Sequence, residues 1–365
     1  MNKKDLISIR DLSNDAILSL FEIANSFNSD LHKRLKLAND ALMAALFYEP
    51  STRTRMSFES AMLRLGGQVI NMTDPMASSA SKGETLADTV RIIENYTDII
   101  VLRHPSEGAA KISAENTTIP VINAGDGARE HPTQTLLDLY TIFREKGTLE
   151  GVKVALCGDL KHGRTVHSLA QGLSRFGAKM ICVAPHGLEM PADLSDRLIR
   201  KYNAEFVSYN SLQSAPLDDC DVLYVTRVQK ERFADPLEFE SVKKSYVVSK
   251  DTLKKCQSDT IILHPLPRVD ELDYTIDDDP RAAYFRQAAY GVPVRMALIA
   301  AMLGLVNVST LKENQVSEVT GVITDNICGN PRCISRNEPI AKHSMYKMPD
   351  GLLRCSYCEK YQEMS

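Results

Sequence analysis

The sequence predicts an α/β protein: two doubly wound parallel-sheet domains, followed by a small β-rich domain at the C-terminal end. Three observations carry that prediction. Between residues 40 and 265, apolar runs of strand length alternate with segments of helical period. A long helical run, TQTLLDLYTIFREK, separates one series of such units from a second that begins at Gly151. Four of the eight cysteines, Cys328, Cys333, Cys355 and Cys358, crowd the end of the chain.

The elements follow in order. ALMAALFY reads as a strand stopped by Pro50, and Phe58, Ala61, Met62 and Leu65 recur at helical spacing until Gly66-Gly67 closes the run. The helix TLADTVRIIENY leads to the strand DIIVLRH, and the strand IPVINA leads to the long helix. The second series runs VKVALCGD, the helix RTVHSLAQGLSRFG, then strands in KMICVAP, AEFVSY, DVLYVTR and TIILHPLP. VPVRMALIAAMLGLV is apolar around most of its circumference and is expected to pack back on the first domain. The predicted limits are 1–132 for the first domain with a returning helix at 291–305, 133–290 for the second, 306–325 for a linker and 326–365 for the cysteine-bearing domain. DPMASSASKGET (74–85), with its small residues and lone Lys82, reads as a loop.

The chain has 365 residues, 44% of them hydrophobic, and a formal charge of −4. That charge gives no basis for general nucleic-acid binding, and no apolar run approaches the roughly 18 residues of a membrane helix. The polar start MNKKDLISIRDLSNDAIL lacks a signal-peptide core, so a cytoplasmic location is expected. Cys157, Cys182, Cys220 and Cys256 are scattered, mostly in or beside strand-like runs, as buried free thiols are.

The segment PSTRTR places two arginines in the first turn of a helix, where free N–H groups and the helix dipole already concentrate positive charge. Either an anion sits there, held by hydroxyls, amides and an arginine fork, or the arginines pair with Glu49 and Glu59 in a solvated turn. Other polar clusters end the predicted strands: Arg103-His104-Pro105, His131-Pro132-Thr133-Gln134, Asp159 to Arg164, Arg227-Val228-Gln229 and His264-Pro265-Leu266-Pro267-Arg268. Ligands of open α/β sheets bind at those carboxyl ends. The clusters offer mainly Arg, His and Gln, a set suited to anionic substrates and direct transfer between two bound molecules. GDLKHGRT nearly matches a P-loop, but Arg164 replaces its lysine, and a carboxylate or phosphate fork is the better use of that arginine. His131 alone reads equally as a helix cap, and HPLPR as a rigid turn with a cis X–Pro bond.

In order along the chain, PSTRTR, SSASKGET, RHP, HPTQ, GRTVHS, TRVQ and HPLPR resemble the aspartate carbamoyltransferase family. The resemblance implies transfer of the carbamoyl group of carbamoyl phosphate to aspartate, in pyrimidine biosynthesis. By that resemblance Ser51, Thr52, Arg53 and Thr54 bind the phosphate with Arg103. Thr54, Arg103 and His131 polarise the carbamoyl carbonyl. Gln134 and the carbonyls of Leu266 and Pro267 orient the carbamoyl nitrogen. Ser78 and Lys82 reach a neighbouring subunit's site, making a homotrimer the active unit, and Arg164, Arg227, Gln229 and Lys82 bind aspartate. Arg55 is left as an ion-pairing residue. Ornithine carbamoyltransferases share the phosphate segment, but Arg227 and Gln229 suit a second carboxylate, and HPLPR lacks the cysteine of the ornithine enzymes. A catalytically silent assembly scaffold is the reading from another class, and the complete set of these residues argues against it.

CGNPRC and CSYC give C-x4-C and C-x2-C, a four-thiolate set of the kind that holds tetrahedral zinc, with a disulfide pair as the competing reading. The segment is too short for a core of its own, so a structural zinc, one per chain, is expected to supply its folding energy. No catalytic metal is expected. The tail resembles the zinc domain of the aspartate carbamoyltransferase regulatory chain, without that chain's nucleotide-binding domain. Docking on catalytic subunits, joining trimers into a hexamer, is the assembly this suggests.

Overall fold

The computed structural model describes residues 5–29, 31, 33–72, 82–227, 246–308, 321–324, 326–348 and 351–363. They form two compact units, Met1–Thr133 with Val292–Ser365, and Gln134–Gly291.

The first unit opens with α1 (Asn14–Ser29), then β1 (Leu42–Phe47), α2 (Thr52–Leu65), β2 (Gln68–Met72), α3 (Leu86–Ile93), β3 (Ile99–His104), α4 (Ala109–Glu115) and β4 (Val121–Asp126). Its strands pair in parallel in the order β2-β1-β3-β4. The chain leaves β1 toward β2 on one side and returns on the other side as β3, which makes the β1/β3 boundary the switch point of the sheet. β1 is buried along nearly its whole length, as expected of a strand covered on both faces. β2 is largely exposed at the sheet edge, and the apolar-run criterion misses it, as it misses α1 and the short α4.

The helix α5 (Pro132–Lys146) starts at the end of the first unit and continues into the second. There follow β5 (Lys153–Cys157), α6 (Arg164–Ser174), β6 (Lys179–Val183), α7 (Ala192–Tyr202), β7 (Glu205–Tyr209), β8 (Val222–Val225), α8 (Lys250–Leu253) and β9 (Ile261–Leu263). This parallel sheet runs β7-β6-β5-β8-β9 and switches direction between β5 and β8. Gly158 lies at that point with φ +119, and a Cβ there would come within 2.3 Å of the Thr226 carbonyl oxygen. Cys157, Cys182 and Cys220 are buried thiols, each pushed up to about 12 by burial.

The expected returning helix is the second half of α9 (Tyr284–Met302), which crosses between the units at Gly291 and carries Pro293 within it. Arg295, in the returning half, donates to the Ser57 hydroxyl at 3.1 Å and lies over the Phe58 ring. None of the described helices is long and apolar enough to cross a membrane.

An antiparallel sheet of β10 (Gly321–Thr324), β11 (Ser344–Lys347), β12 (Leu353–Cys355) and β13 (Tyr361–Gln362) closes the chain. β10 lies inside the segment expected as linker; its pairing with β11 adds it to the terminal module. Nor does the module stand apart. Ile334, Met345, Leu353 and Tyr357 share one apolar cluster with Leu86, Val90, Ala109, Ala110 and Ile112 on α3 and α4. Gly108 makes the fit possible, since a Cβ there would lie 2.7 Å from that of Tyr357.

Candidate active site and metal centre

In the first unit the polar residues gather where the sheet switches direction. Phe47 pairs with Arg103 across β1 and β3, so the turn after β1 and the end of β3 leave the sheet side by side. Ser51 is the N-cap of α2, yet its hydroxyl makes no capping bond. Thr52 and Arg53 are exposed in the first turn, and Thr54 is buried. Although Arg53 is exposed, the protein around its guanidinium desolvates it enough to lower its pKa. Both parts of the ion-pairing alternative are drawn in, but on different arginines: Arg55 pairs with Glu59 at 3.3 Å, while Glu49 pairs with Arg103 at 3.4 Å.

Arg103 sits opposite an irregularity. Leu102 pairs with Asn123 but His104 with Asp126, so Ala124 and Gly125 both face this one residue. Such bulges re-aim side chains at functional edges. The Arg103 guanidinium donates to the Ala124 carbonyl at 3.5 Å. Beside it, burial lowers the pKa of His104 to about 4, and its Nδ1 accepts the Ser106 amide at 3.0 Å.

His131 follows β4 and is buried at the head of α5, with Nδ1 3.4 Å from the Thr133 hydroxyl. The loop that delivers it is fastened by charge. Asp126 accepts from Gly108, Asn123 and Arg129, and Glu130 accepts from Ser8 and Arg10. Glu359 of the terminal module binds both Arg10 and, at 3.2 Å, Arg129. Burial would raise the pKa of Glu359, but Arg10, Arg129 and Arg354 hold it well below the usual carboxylate range. The bonds of Glu130 to Ser8 and Arg10, and of Glu359 to Arg10 and Arg129, each span more than a hundred residues, so no local pattern in the sequence marks them. Lys82 is exposed just ahead of α3, and Ser78 lies outside the described residues.

The second unit carries its candidates at its own switch point. Arg164 opens α6 after β5, and Arg227 is exposed directly after β8. Gln229 lies outside the described residues. Within the near-P-loop, Asp159 accepts the His162 amide at 3.0 Å. Gln134 donates through Nε2 to Asp138 at 2.9 Å. Leu266 has φ +52 and is joined to Pro267 by a cis peptide bond, as one reading of HPLPR anticipated. Burial pushes the Glu271 carboxyl up, but His264 and nearby amides leave it below its usual value.

The four tail cysteines converge. Their sulfurs are buried and all lie within 4.8 Å of one another. Cys328 and Cys358 sulfurs are 3.5 Å apart, and those of Cys333 and Cys355 are 3.6 Å apart. A disulfide needs about 2.05 Å, whereas tetrahedral zinc with Zn–S near 2.3 Å needs sulfurs about 3.8 Å apart. Amides of Asn330 and Tyr357 each donate to a sulfur two residues earlier, at 3.4 Å. The donor set therefore fits a thiolate-bound metal.

Comparison with known proteins agrees with this layout. Residues 4–145 match the aspartate/ornithine carbamoyltransferase carbamoyl-P binding domain, 150–302 match the Asp/Orn binding domain, and 317–365 match the metal binding domain of the aspartate carbamoyltransferase regulatory chain. The aspartate carbamoyltransferase catalytic subunit of Methanocaldococcus jannaschii is 53% identical over 82% of this chain and 98% of its own length. That of Thermoplasma volcanium is 50% identical over 83% of this chain and 99% of its own. A solved structure of the M. jannaschii catalytic subunit superposes with a TM-score of 0.78 and covers 82% of this chain and 98% of that one. The Trypanosoma cruzi aspartate transcarbamoylase in complex with carbamoyl phosphate gives 0.77 at 42% identity, covering 81% of this chain and 95% of its own.

Proposed function

We propose how this chain, which belongs to the aspartate carbamoyltransferase family, moves a carbamoyl group from carbamoyl phosphate to the amine of aspartate, giving N-carbamoylaspartate and phosphate for pyrimidine synthesis. The observation that carries the reading is the pairing of Phe47 with Arg103 at the first switch point, which sets the Ser51–Thr54 turn beside an arginine. The first unit is then the carbamoyl phosphate domain. The amides and hydroxyls of Ser51, Thr52 and Thr54, with Arg53 and Arg103, take the phosphate at a helix N-terminus whose N-cap hydroxyl, that of Ser51, makes no capping bond. The second unit, from Gln134 on, is the aspartate domain, where Arg164 and Arg227 with Gln229 take the two carboxylates as charge-assisted forks.

The neutral amine of aspartate attacks the carbamoyl carbon, and charge grows on the carbonyl oxygen. Thr54, Arg103 and His131 are the donors for that oxygen; one such donor contributes about 3–4 kcal/mol to a barrier. Gln134 and the Leu266 and Pro267 carbonyls accept from the carbamoyl nitrogen. As the bond from the carbamoyl carbon to the phosphate oxygen breaks, the phosphate takes the amine's proton and so leaves as the dianion HPO4²⁻ beside Arg53, Arg103 and Lys82. Ser78 and Lys82 come from a neighbouring copy, so the working form is a homotrimer.

Cys328, Cys333, Cys355 and Cys358 would hold one structural zinc per chain, which when bound would supply a cross-link that fixes the module. The assembly is cytoplasmic, with trimers joined into a hexamer through the module.

Phosphate release from carbamoyl phosphate, with aspartate or ornithine as acceptor, tests the reading. Release is expected with aspartate only, and is lost in Arg53→Ala. Release with ornithine overturns the aspartate assignment, and no release with either acceptor overturns the activity.

A further inference from the structure

We infer that a buried hydrogen-bond network in the second unit, made of Asp138, Gln287, His264 and Glu271, positions the three acceptors for the carbamoyl nitrogen and so sets the preference for a carbamoyl over an acetyl group. This rests on the reading above, in which Gln134, Leu266 and Pro267 receive that nitrogen.

The proton positions follow from which groups can only donate or only accept. A carboxylate only accepts, so Asp138 turns the Nε2 ends of Gln134 and Gln287 toward itself, at 2.9 and 2.6 Å, and Tyr224 donates to its other oxygen at 2.8 Å. Gln134 is thereby oriented with Oε1 as its outward, accepting end. Gln287 uses its own Oε1 to accept the His264 amide at 2.8 Å. An amide N–H only donates, so the bond from Leu266 to His264 Nδ1, 2.8 Å, makes that nitrogen an acceptor. The ring proton is then on Nε2, which donates to Glu271 at 2.8 Å. The other Glu271 oxygen accepts the Val269 and Asp270 amides at 3.2 and 3.0 Å.

Every member is buried: Asp138, Gln287, His264 and Glu271 are at most 7% exposed. Between the anchored His264 and Glu271 lies Leu266 at φ +52, a conformation that is strained for a non-glycine residue and persists only where its surroundings impose it. The bond to His264 supplies part of that imposition. One carboxylate therefore orients Gln134 directly and, through Gln287 and His264, the loop bearing the other two acceptors.

The discriminating probe is acetyl phosphate, which carries a methyl where carbamoyl phosphate carries NH2. A site with aligned acceptors rejects the methyl because the acceptors are left unpaired. In Glu271→Gln the Val269 and Asp270 amides hold the new amide oxygen, which turns its NH2 toward His264 Nε2. The imidazole must then carry its proton on Nδ1, facing the Leu266 N–H. Gln287→Met cuts the chain at a second point, and Gln134→Met removes an acceptor outright.

The experiment is competition binding of carbamoyl and acetyl phosphate to the full-length enzyme, with histidine 15N spectra reporting the His264 tautomer. Glu271→Gln and Gln287→Met are each expected to weaken carbamoyl phosphate about tenfold while leaving acetyl phosphate unchanged, and Glu271→Gln is expected to move the His264 proton. Equal weakening of both ligands, or a ratio preserved in these variants but lost in Gln134→Met, overturns the network's role. A ratio unchanged even in Gln134→Met means that the acceptor assignment itself is wrong, and the inference falls with it. Should one variant fail to fold, the other still decides, because they break the chain at different bonds.

Discussion

Glu359→Gln tests whether the terminal module and the His131 loop are held by charge. The substitution keeps the shape of the side chain and removes its charge from Arg10 and Arg129. Exposed pairs contribute about 0–1 kcal/mol, and breaking a fully buried pair costs about 3–5. The Arg129 side chain is 5% exposed and that of Glu359 27%, which places the loss at about 2–3 kcal/mol. For a cooperative unit of roughly 150–250 residues this lowers Tm by about 5–10 °C at pH 7. The sign with pH is fixed by linkage. The folded pKa of Glu359 is depressed, so its stabilisation is full above its unfolded value of about 4.3 and fades as pH falls further toward the folded one. Differential scanning calorimetry of parent and variant should show the gap at pH 7 and its narrowing below pH 4. A Tm within 1 °C of the parent at pH 7, or a gap independent of pH, refutes the reasoning and leaves the module held by the apolar cluster and by its bonds to Glu107, Lys111 and Glu115.

Thr54→Val removes a buried hydroxyl at almost constant volume; steady-state kinetics should show kcat down about 10²–10³-fold, the usual cost of one oxyanion donor. Stripping metal with EDTA should collapse the module, seen as lost protection of β12 and β13 in hydrogen exchange, and on the proposed assembly should convert hexamers to trimers in sedimentation; an unchanged assembly size refutes the bridging role. His104, whose folded pKa is about 4, resists charging. The unfolded chain therefore binds more protons from about pH 6.5 down to 4, and stability falls across that window by about 2–3 kcal/mol, which a His104→Gln variant should abolish in urea titrations at stepped pH.

The strands of both sheets were readable because nearly every buried strand is a short apolar run closed by Gly, Pro or a charged residue. β2 escaped because it lies at an edge and exposes most of its residues. α7 escaped because only Leu194 and Leu198 face inward from a charged helix. Residues on the turns after β1, β3, β5 and β8 stand out as candidates because polar groups at strand ends are themselves the signal. The groups that orient them do not. Asp138 lies in the part of α5, residues 132–142, that is buried on every side, and nothing local marks it as the partner of Gln287 and Tyr224; Glu359 follows a metal-ligand cysteine and reads as a solvated charge until Arg10 and Arg129 meet it.

The proposed chemistry also accounts for where the charges are kept. The first unit presents permanent cations, Arg53 and Arg103, because its ligand is a phosphate that leaves with two negative charges. An acceptor for the carbamoyl nitrogen next to such a group cannot itself be anionic without repelling it. The three proposed acceptors, an amide oxygen and two peptide carbonyls, are neutral. The carboxylates that orient them are buried further back, Asp138 one hydrogen bond from Gln134 and Glu271 two from Leu266 by way of His264, where Tyr224, two glutamine amides, a histidine and two backbone amides satisfy them. Direction is thus set by charge while the surface offered to the substrate stays uncharged, a division that a carboxylate in direct contact with the carbamoyl group does not achieve.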